Sequence, residues 1–198
     1  MTCIVGLIHD GDVFLGGDSA GVAGLSLTIR ADEKVFTNGD FVMGFTSSFR
    51  MGQLLRYSLK PPVYHPDVDI INYMVTDFVN AVRECLKTGG YAQKDKEEEK
   101  AGTFLVGFKG KLFKIASDYQ VGIPSLPFDA CGCGEEIALG AMFANATLSP
   151  EERIQQALEA AETFSAGVRR PFHIIHSVSR IPVKPLETEP KRGIKGRN

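Results

Sequence analysis

Three polar residues near the start of the chain have types and spacing suited to chemistry: Thr2, Asp18 and Lys34. The sequence opens MTCIVGLIHDGDVFLGGDSAG, so Thr2 directly follows the first methionine and Asp18 closes an apolar run. Lys34 opens a second run, KVF. Charges set into strands that are otherwise buried are costly unless they pair. One reading is therefore an Asp18–Lys34 salt bridge that pins two strands, with Thr2 an ordinary strand residue. The other reading gives each residue a part in a reaction. A threonine hydroxyl is a weak nucleophile and needs a base. A free α-amino group has an ordinary pKa of about 7.7–8.0, close to operating pH, which suits a general base. Removal of Met1, for which a small second residue is suited, would place nucleophile and base in one residue. Lys34 nearby would favour the neutral amine and the developing alkoxide, and Asp18 would hold the Lys34 ammonium and balance its charge.

Strands must bring these residues together, and the hydropathy pattern supplies them. Residues 2–9 and 13–18 read as two almost wholly apolar strands around an Asp-Gly turn, buried on both faces. A second hairpin runs from Lys34 through Asn38-Gly39 to Phe45. Residues 48–59 carry Met51, Leu54, Leu55 and Leu59 on one helical face and stop at Pro61-Pro62. Residues 67–87 predict a longer helix that ends at Gly89-Gly90. KDKEEEK (94–100) reads as a solvated loop or a frayed helix end. Residues 102–117 predict a strand pair around Lys109-Gly110. PFDACGCG leads into a short helix over 135–146. Ser149-Pro150-Glu151-Glu152 is a capping box with proline at the first helical position, so a helix starts there and runs to about Phe164. A last strand covers 172–179. Residues 1–180 read as one domain. The proline-rich, basic tail, 181–198, reads as loosely ordered or lying on a partner subunit. Strands, two helices, strands, two helices and a strand predict an α+β fold with helix pairs outside two sheets.

Composition narrows the function classes. A chain of 198 residues with 43% hydrophobic and 23% charged residues is globular and large enough for a substantial core. A net charge of −2 gives no basic field for nucleic acid. The apolar runs are too short to span a bilayer, and the first twenty residues lack the features of a signal peptide, so the expected location is cytoplasmic. The four cysteines, Cys3, Cys85, Cys131 and Cys133, are then expected as reduced thiols. Neither Cys131 with Cys133 nor His173 with His176 has zinc-ligand spacing with a partner pair.

TCIVGLIHDGDVFLGGDSAG followed by ADEKVF resembles the start of proteasome β-subunits and, more closely, of HslV, the peptidase partner of an AAA+ unfoldase. Thr2, Asp18 and Lys34 stand at the separations of the family's catalytic threonine, aspartate and lysine. GFTSS (44–48) is similar to the segment whose backbone N–H, here that of Ser47, lines the oxyanion hole. ACGCGEEIALGAMFAN (130–145) is similar to the Gly-Ser-Gly segment that opens a helix, with Cys133 in the place of the serine. The resemblance covers about residues 2–179. It implies an N-terminal-nucleophile (Ntn) hydrolase with a four-layer αββα sandwich, acting as a threonine peptidase. It also implies a homo-oligomeric ring enclosing the sites, peptide or unfolded-protein substrates, and an ATP-driven unfoldase partner. By position the substrate pocket would lie near Gly21, Asp32, Phe36, Gly44 and Ser48, a small residue at Gly44 leaving room for a large substrate side chain. The chemistry needs no cofactor. The main-chain carbonyls of Glu162, Ser165 and Val168 match a turn that holds a sodium ion in HslV-like proteins.

Two departures keep other readings open. A thiol at Cys133 is a weaker hydrogen-bonding group than the hydroxyl it replaces. Arg169-Arg170 stands where the family has an uncharged stretch, with no reason visible in the sequence. A catalytically silent shell subunit, or a stand-alone amidase acting on a small molecule, would use the same fold.

Overall fold

The computed structural model describes residues 1–91, 93–95 and 98–177, with 93–95 and 98 as backbone only. The tail, 181–198, and the end of the last expected strand lie outside the described residues. The first hairpin forms as expected: β1 (Cys3–His9) and β2 (Asp12–Gly17) pair antiparallel, with Val5 opposite Gly16. Asp10 and Gly11 turn the corner at φ 50° and 85°, conformations that Asp and Gly tolerate. A ribbon absent from the sequence reading follows, β3 (Ala20–Ala23) with β4 (Ser26–Ile29). Its second strand is exposed throughout, so no buried alternation marks it. The Asn38-Gly39 hairpin joins β5 (Val35–Asn38) to β6 (Phe41–Phe45).

Ser48 caps α1 (Phe49–Tyr57) by accepting from the Arg50 N–H. The next helical run begins at Ile70 rather than 67, because the Asp69 carboxylate accepts from the N–H groups of Ile71 and Asn72. It continues without a break as α2 (Ile70–Tyr73), a π-helical turn (Met74–Phe78) and α3 (Val79–Thr88). The described residues of the charge run are strand rather than loop or helix end: β7 (Gln93–Asp95) pairs antiparallel with β8 (Glu98–Lys100). Arg83 of α3 holds Glu99 of this ribbon at 2.9 Å.

The second half contributes β9 (Phe104–Phe108), β10 (Lys111–Ile115), β11 (Val121–Gly122), β12 (Phe128–Gly132), α4 (Glu135–Ala144), α5 (Pro150–Phe164) and β13 (His173–His176). The capping box at Ser149 and Glu152 is present and starts α5. The two larger sheets, both antiparallel, have the orders β12-β1-β2-β13 and β11-β10-β9-β6-β5. Residues 128–132, expected only as a lead into α4, form an edge strand with Ala130 opposite Val5.

Three apolar clusters hold the elements together. Ile4, Val13, Leu15 and Cys131 of the first sheet meet Val35, Val42, Leu105 and Leu112 of the second. Val5, Leu7, Phe14 and Ala130, on the other face of the first sheet, meet Ala138 and Met142 of α4 and Ile154, Leu158 and Ala161 of α5. Met43, Phe45, Val106 and Phe113 of the second sheet meet Met51, Leu55, Phe78 and Val82 of the first helices. Each fully buried side chain of this size contributes about 1.5–3 kcal/mol relative to exposure. Alternation along β1, with Cys3 and Val5 toward α4 and α5 and Ile4 toward the second sheet, is what lets one strand serve two cores. Among the described residues no helix is long and apolar enough to cross a membrane.

Candidate active site

Thr2 lies at the mouth of β1, Asp18 just after β2, and Lys34 just before β5 in the other sheet. The two sheets therefore bring together residues far apart in sequence. All three are buried: Thr2 is 4% exposed, Asp18 0% and Lys34 1%. Lys34 Nζ donates to Thr2 Oγ1 at 2.9 Å and to Asp18 Oδ1 at 2.8 Å. Asp18 also accepts from the main-chain N–H groups of Cys3 (3.0 Å), Ala20 (2.9 Å) and Arg169 (3.2 Å). A buried carboxylate with four donors is fully compensated. Burial lowers the Lys34 pKa from its ordinary value, against the opposing pull of Asp18. The arrangement contains the expected salt bridge, but the lysine has a second partner, the threonine hydroxyl. A purely structural pair does not call for that contact.

Thr2 is held from several sides. Its N–H donates to Cys133 Sγ at 3.3 Å, and its hydroxyl donates to the Met1 carbonyl. While Met1 is attached, the Thr2 nitrogen is a peptide amide with no basic lone pair. The Thr2 carbonyl packs against Gly132, where an added Cβ would sit 2.2 Å from the oxygen and where φ is 103°. Only glycine fits there. The Gly-Cys-Gly run signals a tight turn in the sequence, but not that Gly132 bears on Thr2. Cys133 is exposed, and its Sγ also accepts from the Ser165 hydroxyl at 3.3 Å. Burial instead pushes the Cys3 and Cys131 thiols up, so both remain protonated inside the cores.

Ser47 lines the same cavity as Thr2, a space of about 220 Å³ that also includes Gly21, Thr28, Arg30, Phe45, Ser48 and Phe49. Ser47 adopts φ 67°, unusual for a residue with a Cβ. Its hydroxyl lies 3.1 Å from the Thr46 hydroxyl and accepts from Thr103 N–H at 3.3 Å, and these contacts fix the turn. Strain of about 1–3 kcal/mol held in this way is common where a backbone group must point at a ligand.

The positional expectations for the pocket divide. Gly21 and Ser48 line the cavity. Gly44 does not: a Cβ there would meet Ile4 at 2.5 Å, so the residue faces the space between the sheets. It therefore leaves no room for a substrate side chain. Phe36 packs into the core beneath α1, 3% exposed. Strand alternation explains Gly44, since Phe45, one residue beyond it, is the one that reaches the cavity, whereas Phe36, opposite Met43, shares the face of Phe45 but packs into the core without lining the cavity. Asp32 is not among the residues that line the cavity, but its neighbour Arg30 is. It holds Arg30 by two hydrogen bonds, 2.6 and 2.7 Å, and Arg30 lies over the Phe49 ring at 4.2 Å. Arg30 and Phe49 were missed in the sequence. The only signal was a cation two residues from Asp32, and spacing alone does not show that the pair lines a cavity.

The carbonyls of Glu162, Ser165 and Val168 do converge, but on the Arg169 side chain, whose Nη1 donates to all three at 3.4, 3.2 and 2.5 Å. Their oxygens are thus directed at a cation that belongs to the chain itself. His173 lies 3.4 Å from Glu33, and His176 packs on the Phe14 ring at 5.1 Å.

No protein-family model matches the sequence, and no curated protein matches it. Solved structures do. BPH of Thiobacillus denitrificans, in complex with epoxomicin, matches with a TM-score of 0.75 at 22% identity, over 88% of this chain and 97% of that one. Eukaryotic HslV from Trypanosoma brucei matches with a TM-score of 0.64 at 19% identity, over 88% and 98% of the two chains. Anbu (ancestral beta-subunit) from Yersinia bercovieri matches with a TM-score of 0.61 at 14% identity, over 88% and 81%. At such identities the likeness is one of fold, and these neighbours are proteasome-type Ntn-hydrolase subunits.

Proposed function

We propose that this chain, with its proteasome-type Ntn-hydrolase fold, is a threonine-type endopeptidase whose nucleophile is Thr2 once Met1 is removed. The observation that carries the reading is Lys34 Nζ, placed within hydrogen-bond distance of both Thr2 Oγ1 and Asp18 Oδ1. The three apolar clusters fit the two sheets and two helix sets as a four-layer αββα sandwich.

In the mature chain, Thr2 Oγ attacks the carbonyl carbon of a peptide bond while its proton passes to the freed α-amine. The buried Lys34 cation stabilises the alkoxide, and the Ser47 N–H donates to the oxyanion. Collapse of the tetrahedral intermediate breaks the C–N bond, and the α-ammonium protonates the departing amine. The acyl group remains as an ester on Thr2, and water activated by the same amine releases it. Cys133, beside the Thr2 nitrogen, takes the place from which a hydroxyl would relay the proton. Assembly into homo-oligomeric rings, and an ATPase that feeds unfolded chains to them, belong to the same proposal.

Intact-mass measurement of the full chain before and after incubation with epoxomicin tests the reading. A peptide epoxyketone adds to an amine and a hydroxyl on the same N-terminal residue. The expected result is loss of Met1 and one adduct, absent in Thr2→Ala. Retained Met1, or a free Thr2 that takes no adduct, would transfer the reading to a silent shell subunit. The contacts of Thr2 with Met1 and Cys133 are the observations on its side.

A further inference from the structure

The turn after α5 gathers three main-chain oxygens around one positive charge. The last carbonyls of a helix lack intrahelical partners and carry the negative end of its dipole, so they attract a cation. Here the cation is covalent. Arg169 Nη1 donates to the carbonyls of Glu162, Ser165 and Val168. The main chain of Arg169 is equally engaged: its N–H donates to Asp18 Oδ2 at 3.2 Å, and its carbonyl accepts from Ser19 N–H at 2.8 Å. Arg170 fastens the same turn from outside, its N–H and Nε each donating to the Glu162 carboxylate at 2.8 Å. The arginine pair that the sequence left without a reason is thus the clamp of this turn.

We infer that Arg169 is a positioning residue that replaces a bound metal ion at these carbonyls. The sodium expected there does not fit while the guanidinium occupies the carbonyls. A second unit charge about 4 Å away is opposed by electrostatic repulsion even at the dielectric of a protein surface. The placement has two consequences for the candidate site. Through its own N–H, Arg169 supplies one of the four donors that fix Asp18. Through the Ser165 carbonyl it holds the residue whose hydroxyl donates to Cys133 Sγ, next to the Thr2 nitrogen. The substitution of cation by side chain stands whether or not Thr2 is a nucleophile. Only its effect on reaction rate rests on that reading.

The test is thermal unfolding of the full chain in sodium, potassium, magnesium or calcium chloride, with ionic strength held constant by tetramethylammonium chloride. For the wild type, Tm is expected to stay within about 1 °C across all of them. Arg169→Ala is expected to unfold roughly 2–4 °C lower and to recover at least half of that in one of the small inorganic cations, because the vacated carbonyls can then take an ion. Arg169→Lys, which keeps a cation on the chain, is expected to remain near wild type and indifferent to added ions. A wild-type Tm that rises with one specific cation overturns the inference. So does an Arg169→Ala chain with unchanged Tm, or one that no cation restores. If Arg169→Ala cannot be purified folded, an Arg169→Lys chain that gains stability from an added metal ion also overturns it. Epoxomicin adduct formation, followed in the same samples, separates the two readings. No adduct alongside the expected pattern of Tm values removes the threonine peptidase and leaves Arg169 in its role.

Discussion

The Lys34 side-chain nitrogen lies 2.9 Å from the Thr2 hydroxyl oxygen, although thirty-two residues separate them. The contact spans two sheets. Thr2 enters the first sheet through β1, and Lys34 enters the second through β5. A lysine 1% exposed must be paired to remain charged, and Asp18, 0% exposed, pairs it. This arrangement leads to a test of stability as well as of chemistry. Lys34→Met strands the Asp18 charge and should cost about 3–5 kcal/mol. Lys34→Met with Asp18→Asn should regain part of that loss while epoxomicin labelling stays absent. Denaturant unfolding and adduct mass together separate the two roles.

Gly132 is expected to tolerate nothing larger. Gly132→Ala places a Cβ 2.2 Å from the Thr2 carbonyl oxygen at φ 103°, and should cost about 2–4 kcal/mol with loss of labelling. Gly24→Ala is the control, because φ is 59° there but no atom lies within 4 Å. It should cost only the conformational term, about 1 kcal/mol, and label normally. Unfolding midpoints of the two variants check the difference.

Cys133 accepts from the Thr2 N–H with a sulfur atom, a poor acceptor beside a hydroxyl. Cys133→Ser should therefore speed epoxomicin labelling by about 2–10-fold, the rate equivalent of a hydrogen bond worth about 0.5–1.5 kcal/mol. A slower rate would mean that the thiol is the better fitted group at this position.

Asp32 masks the charge of Arg30 inside the cavity. The Asp32 carboxyl is held below the usual range by that hydrogen bond, so the mask persists at neutral pH. Wild type should favour neutral side chains on the acyl side of the cleaved bond. Asp32→Ala should shift the ratio of glutamate- to leucine-bearing fluorogenic peptides by about tenfold toward glutamate, as an unmasked guanidinium accepts a carboxylate. Comparison of kcat/KM for the two peptides measures it.

Glu162 has a lowered pKa, chiefly because Arg170 donates to its carboxylate. Its ionised form is therefore preferred in the folded chain, and the stability it brings is present above its ordinary value of 4.5. That stability is lost as pH falls through the lower folded value. Glu162→Gln should be less stable than wild type at pH 7, and the two melting curves should converge at pH values well below about 4.5. Melting temperatures across that range give the answer.

Local signals carried much of the architecture because they are enforced within a few residues. Asn38-Gly39, the Ser149 capping box and the apolar β1–β2 hairpin all folded where the pattern placed them. The ribbon of β3 and β4 and the charged ribbon of β7 and β8 did not announce themselves: β4 is exposed throughout, so no buried face imposes period-two alternation on it, and the run of charges in β7 and β8 carries no apolar alternation to read. The pocket was only half legible. Position along β6 named Gly44, yet a strand turns alternate residues away, so Phe45 faces the cavity instead.

What the sequence determined by itself was the set of reactive types, Thr2, Asp18 and Lys34, and the strands that bear them. Burial of charged residues at the ends of apolar runs requires that they be paired, and this requirement is written in the order of residues. The tertiary structure alone decided that Lys34 reaches Thr2 as well as Asp18, that Arg30 is masked by Asp32, and that Arg169 fills the carbonyl turn. The first is a contact between groups from different elements, the second a local pair that only the fold turns toward a cavity, and the third a contact between a side chain and main-chain oxygens. Main-chain oxygens are the same in every residue, so no residue type could mark them, and only the path of the backbone could bring them around one cation.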